Sequence, residues 1–583
     1  MTRTIAPWLC IVLILLLSGC SSSPPVMLTL TPSSAVVFST QTVQLTATDS
    51  KGTSDVDWSI GGTAGGTVDA SGVFTAPQVT ENTTIMVTAT SHQDPTKSAS
   101  ATITVLAPGT ATSTANPQVA QYTLTPPSGA NVFIQFGTDT TYALKTWTQP
   151  APSSGPMSFF VAGMLANTAY HMRAVVEAGD GTTVNDLDHT FTTQSLPADQ
   201  LPTVTAATTH GMTPQPGIEM LDVLLPKTPN LPLLAVVDLS GNLVWSYPVQ
   251  GTGMSVQGVH LLPNGHFLIG LSPGALREID LAGNTIQQET SEQMNASFTA
   301  AGLPYKTMNF NHDVIQLPNN HWIALVQTSQ PCSAIPNCSG LPDILGDIVV
   351  DLAPDGNGAF SLAWFWSSFD HLDINRALQG YPDWTHSNAL LYSADDGNLL
   401  LSIRHQGWII KIDYNNGSGA GDILWRLGYQ GDFTLEGGTD PTDWFFAQHG
   451  PSFTTANTTG TFGLAIFDNG NLRLLPSGVN CGTTGNPGCY SRAVAMRIDE
   501  SAKTATLVNY YKPGGYTFWG GNAELLANGN YEADFNTNEP GGLSDIFEYT
   551  SETSPQVIWH LRTALQNAYR GFRMPSLYPG VQW

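Results

Sequence analysis

The sequence predicts an all-β protein, and three observations carry that prediction. Charge is scarce: of 583 residues only 11% are Asp, Glu, Lys or Arg, against roughly 25% in an average soluble domain. The 56 Gly and 39 Pro take much of the vacated share, which removes the usual helix-surface residues and supplies turns for short strands. A strand–turn–strand pattern also recurs along the C-terminal part of the chain. The 41% hydrophobic content is enough for sizeable cores, and the length implies several domains. The formal charge of −25 argues against wrapping nucleic acid or docking on anionic lipid.

The elements follow in chain order. Arg3 supplies a positive start, and Ile5–Leu17 is a 13-residue apolar run, too short for a stable membrane span. It ends in Leu17-Ser18-Gly19-Cys20, which resembles the bacterial lipobox. The resemblance implies a signal peptide over 1–19, a lipidated Cys20 and a tether over 20–26. A plain secretory signal is the competing reading. Ser21, standing where Asp would imply inner-membrane retention, implies an exported lipoprotein of the outer membrane, facing the periplasm or the cell surface. No later run reaches transmembrane length, so membrane contact is expected through the lipid anchor only.

Four cysteines remain once Cys10 leaves with the signal and Cys20 takes lipid. Cys332 and Cys338 form one close pair, Cys481 and Cys489 another, both in turn-rich text. In an oxidising compartment two local disulfides are the preferred reading, with a four-cysteine zinc site as the alternative.

Residues 27–107 alternate in strand fashion (MLTLTP, VQLTAT, DVDWSI, IMVTAT, SATITV), and the stretch from Asp55 to Pro77 resembles bacterial Ig-like domains. Residues 117–194 repeat this grammar. Their Leu165–Arg173 segment resembles the tyrosine-corner strand of fibronectin type III modules. Neither module carries a convergent acid, base or nucleophile set, so both are expected to be spacers. Residues 202–583 form the third unit.

In that unit an apolar strand ends in an acidic residue, then a turn leads to a strand that usually carries an aromatic. The acidic residues are Asp238, Asp280, Asp351, Asp413, Asp499 and Glu548, spaced 42 to 86 residues apart. Hairpin text accompanies them, as in VHLLPNGHFLIG and AELLANGNYEADF, where Asn-Gly suits a two-residue turn. A four-stranded antiparallel unit of this kind cannot bury both faces alone, whereas a ring of them can. The expected architecture is therefore a six-bladed β-propeller preceded by two β-sandwich modules, closed by the last strands pairing with an early blade. A twin sandwich is the runner-up.

In a propeller the first strand of each blade lines the central channel, and its start points to one mouth. Three of thirteen histidines fall at such starts on neighbouring blades: His312 (NHDVIQLP), His386 (THSNALLY) and His449 (AQHGPSF). Arg404 lies on the strand after His386, and alternation points His405 the opposite way. Three neutral imidazoles can hold zinc with an open position, so a metal enzyme is one reading, and a non-catalytic adhesion propeller is another.

These segments, with WTHSNALLY…GNLLLSIRHQGWIIKID, FDNG, YSRAVAMRIDE and AYRGFRMPSLYP, resemble the bacterial arylsulfate sulfotransferases that do not use a nucleotide donor. The resemblance spans roughly residues 205–583. It implies transfer of a sulfuryl group from an aryl sulfate donor to a phenolic acceptor by a ping-pong route, with no cofactor and no metal. His449 would form the sulfohistidine. His312, His386 and Arg404 would bind sulfuryl oxygens, Asn388 would support them, and Arg492 would join the anion pocket. Trp384, Trp444, Phe445, Tyr490 and Trp519 are the aromatics near these strands, most of them expected to pack blades.

Overall fold

A computed structural model describes residues 27–583 apart from 50–51, 54, 63–64, 226–230, 250–253, 336–339, 458, 483–485, 538–542 and 565–566. The signal, Cys20 and Cys338 lie outside the described residues. Among those described, strand dominates, and the only α-helices are Ser291–Ala300 and Ser368–His371. None is long and apolar enough to cross a membrane.

Residues 29–106 build a four-stranded sheet and two three-stranded sheets around Leu45, Phe74, Ile85, Val87 and Ile103. In the next module the strands Ala120–Leu124 and Met157–Val161 pair in one sheet, and Asn131–Gly137 and Ala169–Glu177 in another. The Tyr170 hydroxyl accepts from the Leu165 amide at 3.0 Å, the back-bond a tyrosine corner makes.

This second module is not the detached spacer its sequence suggested. Its Phe136, Val161 and Met164 share one continuous core with Trp245, Phe267 and Tyr578 of the C-terminal unit. Polar contacts fasten the same seam. Asn116 Nδ2 donates to the Ser246 carbonyl at 2.8 Å, and Trp583 Nε1 donates to the Lys145 carbonyl at 3.0 Å. The Tyr578 hydroxyl accepts from the Ala162 amide at 2.7 Å and donates to the Phe160 carbonyl at 2.9 Å. A shared apolar core makes the two units one stability unit, because separating them would re-expose that surface to water.

The C-terminal unit is six antiparallel blades. Blade 1 runs Ser255–Leu261, Phe267–Ser272, Ala275–Ile279, Thr285–Thr290; blade 2 runs Asn309–Gln316, Trp322–Pro331, Asp343–Pro354, Phe360–Ser367. Blade 3 runs Ser387–Ser393, Asn398–Ile403, Trp408–Ile412, Ile423–Gly428, and blade 4 runs His449–Thr455, Thr461–Asp468, Arg492–Asp499, Thr504–Tyr511. Blade 5 runs Ala523–Leu525, Tyr531–Thr537, Leu543–Tyr549, Val557–Thr563, and Val204–Thr208 adds to its outer edge. Blade 6 takes Ile218–Leu225, Leu231–Asp238 and Leu243–Pro248 from the start of the unit and its innermost strand, Ala568–Met574, from the end. That splice closes the ring. The first strands of blades 1 to 5 touch in succession, and blade 6 meets blade 5 through Ala568–Met574 and blade 1 through Ile218–Leu225 and Leu231–Asp238, so the blades form a ring as a propeller requires.

The sequence repeat now has a structural reason. Each acidic residue sits at or near the end of the third strand of its blade, where Asp238 and Asp280, for example, accept the amides of Asn242 and Asn284 at 2.9 Å and hold the turn to the fourth strand. The fourth-strand indoles then reach the next blade. Trp245 donates to the Leu281 carbonyl (2.8 Å), Trp366 to that of Gly421 (3.0 Å) and Trp559 to that of Leu239 (2.9 Å). Each such buried bond contributes about 1 kcal/mol and satisfies an indole N–H that packing would otherwise strand.

Candidate active site

The three histidines foreseen at strand starts lie on blades 2, 3 and 4 at one mouth of the channel. Two of them sit in left-handed backbone, His312 at φ +59° and His386 at φ +50°. A non-glycine residue there costs about 1–2 kcal/mol, so neighbours must hold it. The register of the blade 2 strand breaks between Phe310 and Val314, and the His312 amide donates to Gln257 Oε1 of blade 1 at 2.8 Å. Around His386 a single buried carboxylate oxygen, Asp347 Oδ2, accepts from Thr385 Oγ1 and from the Ser387 amide, both at 2.6 Å. The distorted strand starts turn both rings toward the channel mouth.

The rings meet. His312 Nε2 and His386 Nε2 are 3.0 Å apart, and His386 Nδ1 hydrogen-bonds Asp383 Oδ2. His405 stacks on His386 with centroids 4.6 Å apart. Its Nδ1–H donates to the Asp383 carbonyl at 2.5 Å, and its Nε2 accepts from Arg404 Nη1. Arg404 Nη2 donates to the Phe518 carbonyl at 2.8 Å, while its buried Nε has no hydrogen-bond partner. His405 therefore faces the cluster, contrary to the alternation argument. The chain leaves the strand at Ile403 and tightens into a 3-10 turn over Arg404–Gln406 that ends at a left-handed Gly407, so period-two geometry no longer applies.

His449 is almost completely buried. Its Nδ1 contacts Asn469 Oδ1 at 2.7 Å, and the Asn469 amide nitrogen donates to the Thr517 and Gly520 carbonyls, both at 3.1 Å. Those two bonds fix the amide orientation, so Oδ1 must accept and Nδ1 carries the proton. His449 Nε2 is left with a lone pair, to which the Gly520 amide points at 3.3 Å. Tyr569 joins the set, stacked on His312 at 5.3 Å and edge-on to His449 at 6.0 Å.

Electrostatics keep His312, His449 and His405 neutral. Burial, then His386, His449, Arg570 and Arg404, push His312 well below the usual histidine range. Burial and Arg404 do the same to His449, against the opposing Asn469 bond. Burial, His386 and Arg404 bring His405 down to about 3. Burial works to raise the Asp383 carboxyl, yet His386, His405 and Arg404 hold it below the ordinary aspartate value.

Asn388 is fully buried and ties blade 3 to blade 4: its Nδ2 donates to the carbonyl of Gln448, the residue before His449, at 2.7 Å. Arg492 does not join the histidines. Its Nε donates to Asp468 Oδ2 at 2.8 Å, and its Nη atoms go to Asp443 Oδ1 (3.2 Å) and the Asp443 carbonyl (2.7 Å), so its fork is already occupied by acceptors of blade 4 and the segment before it. Trp384, Trp444 and Phe445 are core residues. Half-buried Trp519 stacks on Tyr569 at 6.5 Å, and Tyr490 lies 3.5 Å under Lys512. Cys481 and Cys489 are bonded, and Cys332 is in a disulfide too.

Sequence reasoning missed Asp383, Asn469, Tyr569 and Arg570. The last donates from Nη2 to the Asn388 carbonyl at 2.5 Å and lies 3.6 Å from Asp313. Asn469 stood in the motif FDNG, and Tyr569 and Arg570 in AYRG, so a signal was present for these three.

The donor set does not suit a metal ion. Asp383, His386 and His405 bring ligand atoms within 4.8 Å of one another. However, both Nδ1 atoms already bond Asp383, and Arg404 donates to His405 Nε2, placing a cation where another would have to sit.

Comparison with known proteins bears on what this arrangement does. The family model described as arylsulfotransferase (ASST) matches residues 207–570. No curated protein matches the chain. Among solved structures the chain is similar to an auxiliary nutrient binding protein from Bacteroides ovatus, at 10% identity over 75% of this chain and 82% of that one, with a TM-score of 0.30. It is also similar to a putative 6-phosphogluconolactonase from Bacteroides uniformis, at 12% identity over 74% and 95%, with a TM-score of 0.27.

Proposed function

This chain belongs to the arylsulfotransferase family, and from that membership we propose that it moves a sulfuryl group from a phenolic sulfate ester to a phenol through a sulfohistidine on His449. The observation that carries the proposal is the His449 tautomer: Asn469 Oδ1 accepts from Nδ1–H, so Nε2 keeps the lone pair that would attack sulfur, met only by the long 3.3 Å contact from the Gly520 amide. Attack forms the S–N bond and breaks the S–O(aryl) bond, and the phenolate takes a proton as it leaves. An acceptor phenol then loses a proton and attacks the same sulfur, returning the electron pair to Nε2. Splitting the exchange lowers each barrier.

The transition state spreads negative charge over three sulfuryl oxygens, so fixed donors supply most of the catalysis. Arg404 offers a planar fork with an unpaired Nε. The His386 and His312 rings complete the oxyanion surface, Asn388 braces the strand beneath them, and either histidine is close enough to its partner to pass the proton.

Incubating the purified protein with an aryl sulfate and no acceptor should leave a sulfo adduct on His449, detected by peptide mass spectrometry. Adding a phenol should accelerate phenol release and remove the adduct. An unmodified His449 with full turnover would rule the route out. The first twenty residues extend the proposal to an exported lipoprotein tethered through Cys20. Cys20→Ala should lose metabolic fatty-acid label and leave the membrane fraction.

A further inference from the structure

Asp383 belongs to no blade. It sits in the segment between blades 2 and 3, where Phe369, Leu372, Ile374, Tyr381 and Trp384 pack on Ile344 as a small core of their own. Its backbone is pinned on both sides: the Leu345 amide donates to the Pro382 carbonyl at 2.8 Å, and the Trp384 amide donates to the Leu345 carbonyl at 3.2 Å. The carboxylate thus reaches the mouth from a rigid mount.

From there Asp383 touches two imidazoles at once. Its carboxylate takes His386 Nδ1–H, and its carbonyl takes His405 Nδ1–H. Both rings are driven to the same tautomer, with Nε2 facing the mouth. His405 Nε2 is then used by Arg404, whereas His386 Nε2 meets only His312. Among the described residues His312 has no carboxylate partner, and its other nitrogen is buried without a hydrogen bond. Around His386 stand His312 from blade 2, Arg404 and His405 from blade 3, and Asp383 with the buried Asp347 behind it. Asp383 supplies the negative charge adjacent to the ring.

We propose that Asp383 is the positioning residue that makes His386, rather than His312, the proton carrier of the transfer. The inference rests on the sulfuryl-transfer reading above. In the first half-reaction His386 is an imidazolium, with Nδ1–H on Asp383. As the S–O(aryl) bond breaks, the aryl oxygen takes the His386 Nε2 proton and leaves as a phenol. His386 is then neutral and keeps its Nδ1 proton on Asp383. In the second half-reaction the acceptor hydroxyl returns a proton to His386 Nε2 while its oxygen bonds to sulfur and the S–N bond breaks.

The test measures sulfo-His449 formation by the full chain across aryl sulfates of graded leaving-group basicity, with Asp383→Asn and Asp383→Glu beside the wild type. A 4-nitrophenolate leaves without a proton, and an unsubstituted phenolate needs one. Asp383→Asn should slow phenyl sulfate about 10²-fold, the low end of what a general acid contributes, and change 4-nitrophenyl sulfate little. Asp383→Glu should recover part of the loss. An equal loss on both donors, or none, overturns the inference while leaving the His449 route standing. No adduct in the wild type overturns both. Should Asp383→Asn not fold, proton NMR of the wild type decides: a strongly deshielded Nδ1 proton on His386 supports the pair, and a neutral His386 that carries its proton on Nε2 alone, with none on Nδ1, refutes it.

Discussion

Two buried guanidiniums reach the propeller channel and differ in what surrounds them. Arg573, on the strand that closes blade 6, meets Glu219 at 2.9 Å, Glu532 at 2.7 Å and Glu548 at 3.2 Å, and its own amide donates to Glu524 at 3.0 Å. Arg404, at the mouth, hydrogen-bonds an imidazole and a carbonyl and makes no ion pair among the described residues. The glutamates raise Arg573 above the ordinary arginine range, whereas burial lowers Arg404. A buried cation without a counter-ion costs several kcal/mol in desolvation. An oxyanion arriving at the mouth offsets that cost, so the same residue type clamps the fold in one place and is kept available for a ligand in the other.

Substitutions at the mouth and at the closing strand separate the two roles. The largest effect falls on His449→Ala, for which release of phenol from an aryl sulfate should drop at least about 10³-fold with the thermal midpoint close to that of wild type. Next, Arg573→Ala leaves its glutamates crowded without their cation. It should destabilise the chain by about 3–5 kcal/mol in denaturant unfolding while the molecules still folded turn over normally. A wild-type midpoint would show that Arg573 does not clamp the fold. Arg404→Ala inverts this pattern: kcat/KM should fall about 10²- to 10³-fold, as when one oxyanion donor is removed, without loss of stability. Arg404→Lys should recover only part, because an ammonium lacks the planar fork.

Two smaller effects test the scaffold around each cation. The Cys481–Cys489 bridge closes a loop with a sequence separation of 8, so the double serine variant should lose about 2–3 kcal/mol on loop-closure entropy. Near the closing strand, Asp222 accepts the Arg570 amide at 2.8 Å, and burial pushes its carboxyl up to about 8. The folded value lies above the unfolded one, so the native state retains the proton. The corresponding stability is complete below about pH 4 and is lost as pH rises through about 8. Thermal midpoints should therefore fall between pH 6 and 9, and Asp222→Asn should flatten part of that slope. An unchanged slope would show that the other buried acids, Glu524 among them, carry it.

Much of the fold was legible because it rests on short-range rules. The acids from Asp238 to Glu548 and the indoles of Trp245, Trp366 and Trp559 mark six blades, since each blade repeats the same turn and the same reach to its neighbour. His312, His386 and His449 were legible for the same reason: each belongs to the opening of a blade's first strand, although His312 is the fourth residue of its strand and His386 immediately precedes its own. Asp383 was not, because it arrives from an insertion that follows no repeat. His405 was misdirected by alternation, because the strand ends at Ile403, two residues before it. Arg492 looked available until Asp468, brought beside it by strand pairing, was found to occupy it.

By itself the sequence determined an all-β ring of six units and three histidines at one mouth, because alternation, turn chemistry and repeat spacing act over a few residues and survive without neighbours. Only the tertiary structure decided which charges have partners. It tied the second module into the propeller core, surrounded Arg573 with glutamates, left Arg404 with neutral ones and set Asp383 against His386. The physical reason is distance along the chain. An ion pair or a buried hydrogen bond depends on groups brought together by the closed ring, and no local pattern encodes which distant group will arrive.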